Sequence, residues 1–258
     1  MKAGAPTDYP PIDGRRATVQ LVGGGLLLAL ALCIIGWVIV RVSGARPLIA
    51  WDDSVTTWFV DHRTPTLDAL THVGSTLSDT IIAVLLLVIM VAATRLWLGR
   101  WREAGALVAA LVGELLVFLI VTAVVQRDRP DVIQLDAAPP TSSFPSGHTA
   151  AAVALYGCIA VIMNRELRTR WLALVIATAC WAVPAIVGIS RIYRGMHHPT
   201  DVLFGYIGGG LWLTIVVVTL LPLAASGDTI DRRPPARPLG RALAHEPAVS
   251  SPQRGRAR

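Results

Sequence analysis

The sequence predicts an all-α, integral-membrane bundle of six transmembrane helices, with short amphipathic helices in the first outward loop. Three observations carry this expectation. The 258-residue chain is 53% hydrophobic and only 16% charged, whereas about a quarter of the residues in soluble domains are charged. Its apolar residues fall into six runs, most of them near the ~20 residues that cross a bilayer. Its arginines collect in alternate connections between those runs, a bias that sets membrane orientation.

The elements follow in chain order. Residues 1–18 form a polar N-terminal segment containing Lys2, Arg15 and Arg16. The first apolar run, Val19 to Val42, exceeds the ~7–15 residues of a signal-peptide core and reads as an uncleaved span. Between residues 43 and 78, Val55, Trp58 and Phe59 recur at helical spacing, as do Leu67, Leu70 and Val73. Thr64-Pro65 supplies a cap with proline in the first turn. This segment reads as two short surface helices, a hairpin without a part in the chemistry. The other runs cover about 80–98, 104–125, 149–163, 171–189 and 202–224, so residues 19–224 form one membrane domain. The run at 149–163 is short, which places its helix start earlier, near Ser146. Trp51, Trp97, Trp101 and Trp171 lie at run ends, where an aromatic belt would put them. Pro184 predicts a kink in the fifth span. Gly205 and Gly209 give the sixth a small-residue face for close helix contact. Residues 225–258, rich in proline and arginine and without periodicity, read as a disordered tail. Cys33, Cys158 and Cys180 lie inside apolar runs and read as packing residues.

Sixteen of the 23 basic residues fall in the N-terminal segment, in or beside the second connection, in the fourth connection and in the tail. The positive-inside rule then makes both termini cytoplasmic and turns the third and fifth connections outward.

Those two outward connections hold the chemistry-bearing residues. One reads Arg127-Asp128-Arg129-Pro130, then Phe144-Pro145-Ser146-Gly147-His148. The other runs from Ser190-Arg191 to His197-His198-Pro199-Thr200-Asp201. Arginine forks bind phosphate oxygens bidentately. Arg129 and Arg191, from different loops, would bracket a phosphoryl group, and Arg127 is a third candidate ligand. Ser146 and Gly147 stand where a helix begins; N–H groups there bind anions, and glycine lets the ligand approach. One histidine can attack phosphorus while another protonates the leaving oxygen. Residue chemistry alone does not choose between His197 and His198. Asp201 either fixes a ring nitrogen of His197, or caps the helix that starts beside it, or both. No carboxylate, cysteine or histidine spacing here matches a metal cage, so neither a metal nor a cofactor is expected. Glu114, near the middle of the third run, is costly there and is a candidate for lining a substrate path or for structural burial. Arg194 is a candidate headgroup contact. His62, His72 and His245 are assigned no role.

Pro145-Ser146-Gly147-His148 resembles the second signature of the type 2 phosphatidic acid phosphatase (PAP2) superfamily. Ser190-Arg191, five residues, His197, three residues and Asp201 resemble the third. These are integral-membrane lipid phosphatases that share their active site with vanadium haloperoxidases. The resemblance extends to the six-span layout and the helical first loop. It implies His197 as nucleophile with Asp201 as its partner, and His148 as proton donor. It also implies Arg129, Arg191, Ser146 and Gly147 as phosphate ligands. The family's first signature is lysine, six residues, then arginine-proline. Arg129-Pro130 fits, but the lysine position holds Thr122, and Arg127 is the candidate to take over part of that lysine's work. The implied partners are the membrane and a lipid phosphate of polyprenyl diphosphate or phosphatidic-acid type, hydrolysed through a phosphohistidine. No nucleic acid is implied, and the oligomeric state is left open. A haloperoxidase-like enzyme is disfavoured by the spans. A catalytically silent lipid-binding or transport-associated protein is favoured only by Thr122.

The arginine bias generates a topological prediction. A cysteine replacing Ala138 reacts with impermeant thiol reagents on intact cells, and one replacing Thr169 does not. Labelling of the Thr169 variant alone would invert the orientation.

Overall fold

The computed structural model describes residues 11–222 and is all-helical over them. Eight α-helices follow one another: α1 Gly14–Arg41, α2 Arg46–Asp61, α3 Pro65–Thr76, α4 Thr80–Leu98, α5 Arg102–Val124, α6 Gly147–Glu166, α7 Arg170–Tyr193 and α8 Pro199–Leu220. All but α2 and α3 are long and apolar enough to cross a membrane. The tail expected at 225–258 lies outside the described residues, as do the first ten residues of the N-terminal segment.

Helix boundaries follow local chemistry. The first helix starts earlier than its apolar run, because the Asp13 carboxylate caps it by accepting from the N–H groups of Arg15 and Arg16. The third begins at Pro65, with the Thr64 hydroxyl accepting from Leu67 N–H. Gly99 ends α4 in the left-handed conformation, φ 70°.

The most buried of the spans is α6, which packs against α4, α5, α7 and α8. Small residues let this happen. Alanine is abundant along α6, and α8 presents Gly205 and Gly209 to it. A Cβ on either glycine would stand 2.7 Å from a backbone oxygen, that of Ser146 or Ala150 respectively, so only glycine permits this crossing. Leu107, Leu155, Ile162, Val216 and Phe144 fill the core between the helices. The exterior is apolar as well: Leu27, Ile81, Val88 and Leu96 are all exposed. That pattern suits a bundle whose surrounding solvent is hydrocarbon.

Helices α2 and α3 invert the usual amphipathic arrangement. Trp51 and Trp58 of α2 are exposed, while Asp52 and Thr56 are buried. Leu67, Leu70 and Val73 of α3 are exposed, while Gly74 and Ser75 are buried. Asp52, Thr56 and Ser75 thus point into the protein, while Asp53, Ser54 and Thr57 stay exposed. The α2–α3 turn is tied to both motif loops by Arg63, which donates to the carbonyls of Ile133 (2.7 Å) and Tyr193 (2.9 Å).

Candidate active site

The α5–α6 loop, the α7–α8 turn and the α2–α3 segment converge at one end of the bundle. His197, Arg129, Arg191, His148 and Gly147 line one cavity of about 260 Å³. Phe118, Leu115, Leu111, Ala151, Ala83 and Val84 form its apolar walls, on α4, α5 and α6. A second, polar cavity of about 230 Å³ adjoins it and shares His148, Arg191 and Pro139. His72, Asp79 and Asp136 lie on its other side.

His197 is buried, and its Nδ1 lies 2.8 Å from the carbonyl of Ser143. A carbonyl can only accept, so Nδ1 carries the hydrogen and Nε2 keeps its lone pair. Asp201 does not supply this bond: its carboxylate stands 3.9 Å from Nδ1. Its action on His197 runs through Ser143, whose hydroxyl donates to Asp201 Oδ2 at 2.5 Å. The same Oδ2 accepts from His198 N–H at 2.9 Å and closes a capping box at the start of α8. Capping and positioning are therefore both built into Asp201. Burial, the charge of Arg191 and, less strongly, Arg129 and His148 press the His197 pKa well below its ordinary 6.5, against the opposing pull of Asp201.

The two arginines that reach the cavity are each held by part of their fork. Arg129 donates through NH1 to Met196 O at 2.7 Å. Arg191 donates through NH1 to Ser75 Oγ at 2.8 Å and to Asp136 Oδ2 at 3.3 Å. In both, the Nε–H is buried and has no partner among the described residues. Burial lowers the Arg129 pKa from its ordinary value, and Asp201 partly offsets this. His148 Nε2 lies 3.2 Å from Asp79 Oδ1. A carboxylate oxygen accepts here, so this nitrogen carries a hydrogen.

Three expected site residues stand elsewhere. Arg127 does not line the cavity. It is buried, with NH2 on Asp52 Oδ2 (2.7 Å) and NH1 on both Asp201 Oδ1 (2.5 Å) and Thr200 Oγ1 (2.7 Å). Both of its terminal nitrogens are engaged by these partners, away from the cavity that His197 lines. Ser146 is likewise absent from the cavity lining: its N–H donates to Asp201 O at 2.9 Å, and its hydroxyl accepts from Thr149. Gly147, the next residue, does line it. Arg194 is committed to Asp136 through two bonds of 2.6 and 2.7 Å. Those bonds and the charges of Arg194 and Arg191 outweigh burial and hold the Asp136 carboxyl below its usual range. Thr122 faces an outer depression with Arg127 and Ser142, and its hydroxyl has no partner among the described residues.

Sequence reasoning missed Asp52, Ser75, Asp79, Asp136 and Ser143, and it treated the α2–α3 hairpin as uninvolved. The hairpin supplies Asp52 to Arg127 and Ser75 to Arg191. A signal existed for Asp52: with Thr56 it forms a polar stripe on a helix otherwise rich in tryptophan and valine. Asp79 directly precedes an apolar run, a position that gives no sign of its contact with His148. Asp136 and Ser143 carried no local signal.

These features define a membrane-spanning helical bundle with two arginines and two histidines gathered around one cavity at its end. Residues 102–223 match the model of the PAP2 superfamily. It is 29% identical over 174 residues to phosphatidylglycerophosphatase B of Bacillus subtilis, covering 64% of this chain and 81% of that protein. It is 31% identical over 101 residues to the lipid A 1-phosphatase of Rhizobium etli, but spans only 38% of that protein's length. Among solved structures, the transmembrane PAP2-type phosphatidylglycerolphosphate phosphatase of Bacillus subtilis superposes with a TM-score of 0.65 at 24% identity, covering 77% of this chain and 94% of that one. Aquifex aeolicus LpxE superposes with a TM-score of 0.51 at 24% identity, covering 64% and 93%.

Two outcomes follow from this geometry. Arg127→Ala leaves two buried carboxylates uncompensated, at a cost of about 3–5 kcal/mol. The variant should therefore lose thermal stability in detergent together with activity; an unchanged melting temperature with lost activity would instead make Arg127 a ligand. In addition, ¹⁵N-histidine spectra should show His197, assigned by its loss in His197→Ala, still neutral at pH 6.5. Protonation only below that pH is expected, with stability falling over the same window, since the unfolded chain takes up the proton first. A His197 titration at or above 6.5 would contradict the site electrostatics.

Proposed function

We propose that this chain is a membrane lipid phosphatase that hydrolyses a phosphate ester or diphosphate of a lipid through a phosphohistidine. The observation that carries the reading is that one cavity is lined by His197, whose Nε2 keeps its lone pair, and by Arg129 and Arg191, each with a buried, unpartnered Nε–H among the described residues. Two orphaned guanidinium donors beside a lone-pair nitrogen are costly unless an anion completes them. The apolar walls on α4, α5 and α6 suit a lipid chain attached to that anion.

Arg129, Arg191 and the free N–H groups at the start of α6 hold the phosphoryl oxygens. His197 Nε2 attacks phosphorus as the bond to the leaving oxygen breaks. His148, as the imidazolium, gives its Nε2 proton to that oxygen and becomes neutral, exchanging its contact with Asp79. Water then attacks phosphorus, His148 takes up the water's proton, and the P–N bond breaks to release phosphate. The relatives' names support phosphatidylglycerophosphate and a lipid A 1-phosphate as first substrates to try. Polyprenyl diphosphate and phosphatidic acid fall within the same reaction class. The arginine bias supports an outward-facing site with both termini cytoplasmic.

Rapid quench with ³²P-labelled lipid tests this. Wild type should release phosphate, unaffected by EDTA and blocked by orthovanadate. His197→Ala should form no labelled enzyme, while His148→Ala should accumulate an acid-labile, base-stable label. Label in the His197→Ala protein, or label stable to acid, would overturn the assignment.

A further inference from the structure

Two buried polar groups in the lipid-side cavity take no part in that reaction. Glu114 of α5 is 5% exposed, lines the cavity, and has no hydrogen-bond or ion-pair partner among the described residues. Ser78, just before α4, is equally buried and lines the same cavity; its hydroxyl also lacks a partner among them. An unpaired carboxyl among hydrocarbon side chains is expensive in either protonation state.

Position decides what could complete them. Phe118 lies against Gly147, where a Cβ would meet its ring at 2.8 Å. Glu114 is one helical turn further along α5, on the same face and away from the phosphate end. Behind it, Leu32, Val117, Phe204 and Trp212 close a gap of only about 10 Å³, too small to hold a water comfortably. The carboxyl is therefore left with the cavity. A lipid phosphate bound by Arg129 and Arg191 would lay its leaving alcohol along this stretch, between the phosphoryl group and the apolar walls.

Resting on the phosphatase reading, we propose that Glu114 and Ser78 form a hydroxyl-binding subsite selecting lipid phosphates whose leaving alcohol carries a second, free hydroxyl close to the ester. A carboxylate accepts from such a hydroxyl, and a carboxylic acid both accepts and donates. The Ser78 hydroxyl serves as the opposite partner. A leaving group with only C–H bonds at this depth, such as a polyprenyl chain, leaves both polar groups unpaired. A polar site that loses its partner discriminates far more strongly than an apolar one that gains or loses a methylene.

The test is a matched pair of substrates in detergent micelles: phosphatidylglycerophosphate, and the same lipid with the headgroup glycerol replaced by 1,3-propanediol. They differ by one hydroxyl. Wild type should favour the hydroxylated lipid in kcat/KM by roughly 10- to 100-fold. Glu114→Leu should bring that ratio close to one, chiefly by losing activity on the hydroxylated member, and Ser78→Ala should reduce it less. Glu114→Gln, which keeps the shape and hydrogen-bonding capacity, should retain part of the preference and guards against a leucine variant that fails to fold. Equal turnover of the two lipids by wild type, or an unchanged ratio in Glu114→Gln and Ser78→Ala with Glu114→Leu also unchanged or unfolded, would overturn the subsite while leaving the phosphatase reading intact. Release of phosphate from neither lipid, nor from any other lipid phosphate, would remove both.

Discussion

The buried bridge of Arg127 to Asp52 and Asp201 is the interaction on which the site depends. Three charged groups leave water here, at several kcal/mol each, and such a cluster persists only when every lone pair and hydrogen finds a partner. That condition is closely met. Asp52 accepts from Arg127 and from both the N–H and the hydroxyl of Thr200; Asp201 accepts from Arg127, Ser143 and His198. The cluster joins α2, the α5–α6 loop and the first turn of α8. Ser143 is pinned by it, and the Ser143 carbonyl fixes the tautomer of His197. An arginine that faces away from the cavity thus determines which nitrogen of His197 keeps its lone pair.

The inverted helices α2 and α3 obey the same logic. In water, an amphipathic surface helix buries its apolar face; beside a bilayer, the cheaper arrangement exposes Trp58 and Leu70 and turns Asp52 and Ser75 inward. The helical spacing of Trp58 and Leu70 announced the helices but not this choice. The spans were legible because apolar length is local. His148, His197, Arg129 and Arg191 were legible because each sits in a short motif at a span end. The residues that position them were not. Asp52 lies 75 positions from Arg127, and Ser75 lies 116 from Arg191; no pattern within a window of one helix connects such pairs. Arg127 shows the limit most clearly. Its proximity to Arg129 in sequence argued for a shared task, yet the chain turns between them and sends one guanidinium to carboxylates and the other to the cavity.

The charges that remain bear on the kind of phosphate this site accommodates. Arg127 is neutralised by its two carboxylates, and Arg194 by Asp136. Thr122, where the family signature has a lysine, adds no charge. Among the described residues, two arginines therefore face the lipid-side cavity, Arg129 and Arg191, the second shared at longer range with Asp136. His197 is kept neutral by burial and by Arg191, so it adds no positive charge of its own. In the proposed reaction, a phosphate monoester near its dianionic form, about −1.5 to −2 at neutral pH, is matched by two arginines. A diphosphate brings a further anionic group that must lie further along the cavity, where Glu114 and apolar side chains offer no cation. On the proposed reading, Thr122 in place of the signature lysine, the engagement of Arg127 elsewhere and the carboxyl of Glu114 all act in one direction, favouring a monoester on a hydroxylated headgroup over a diphosphate on a bare hydrocarbon chain.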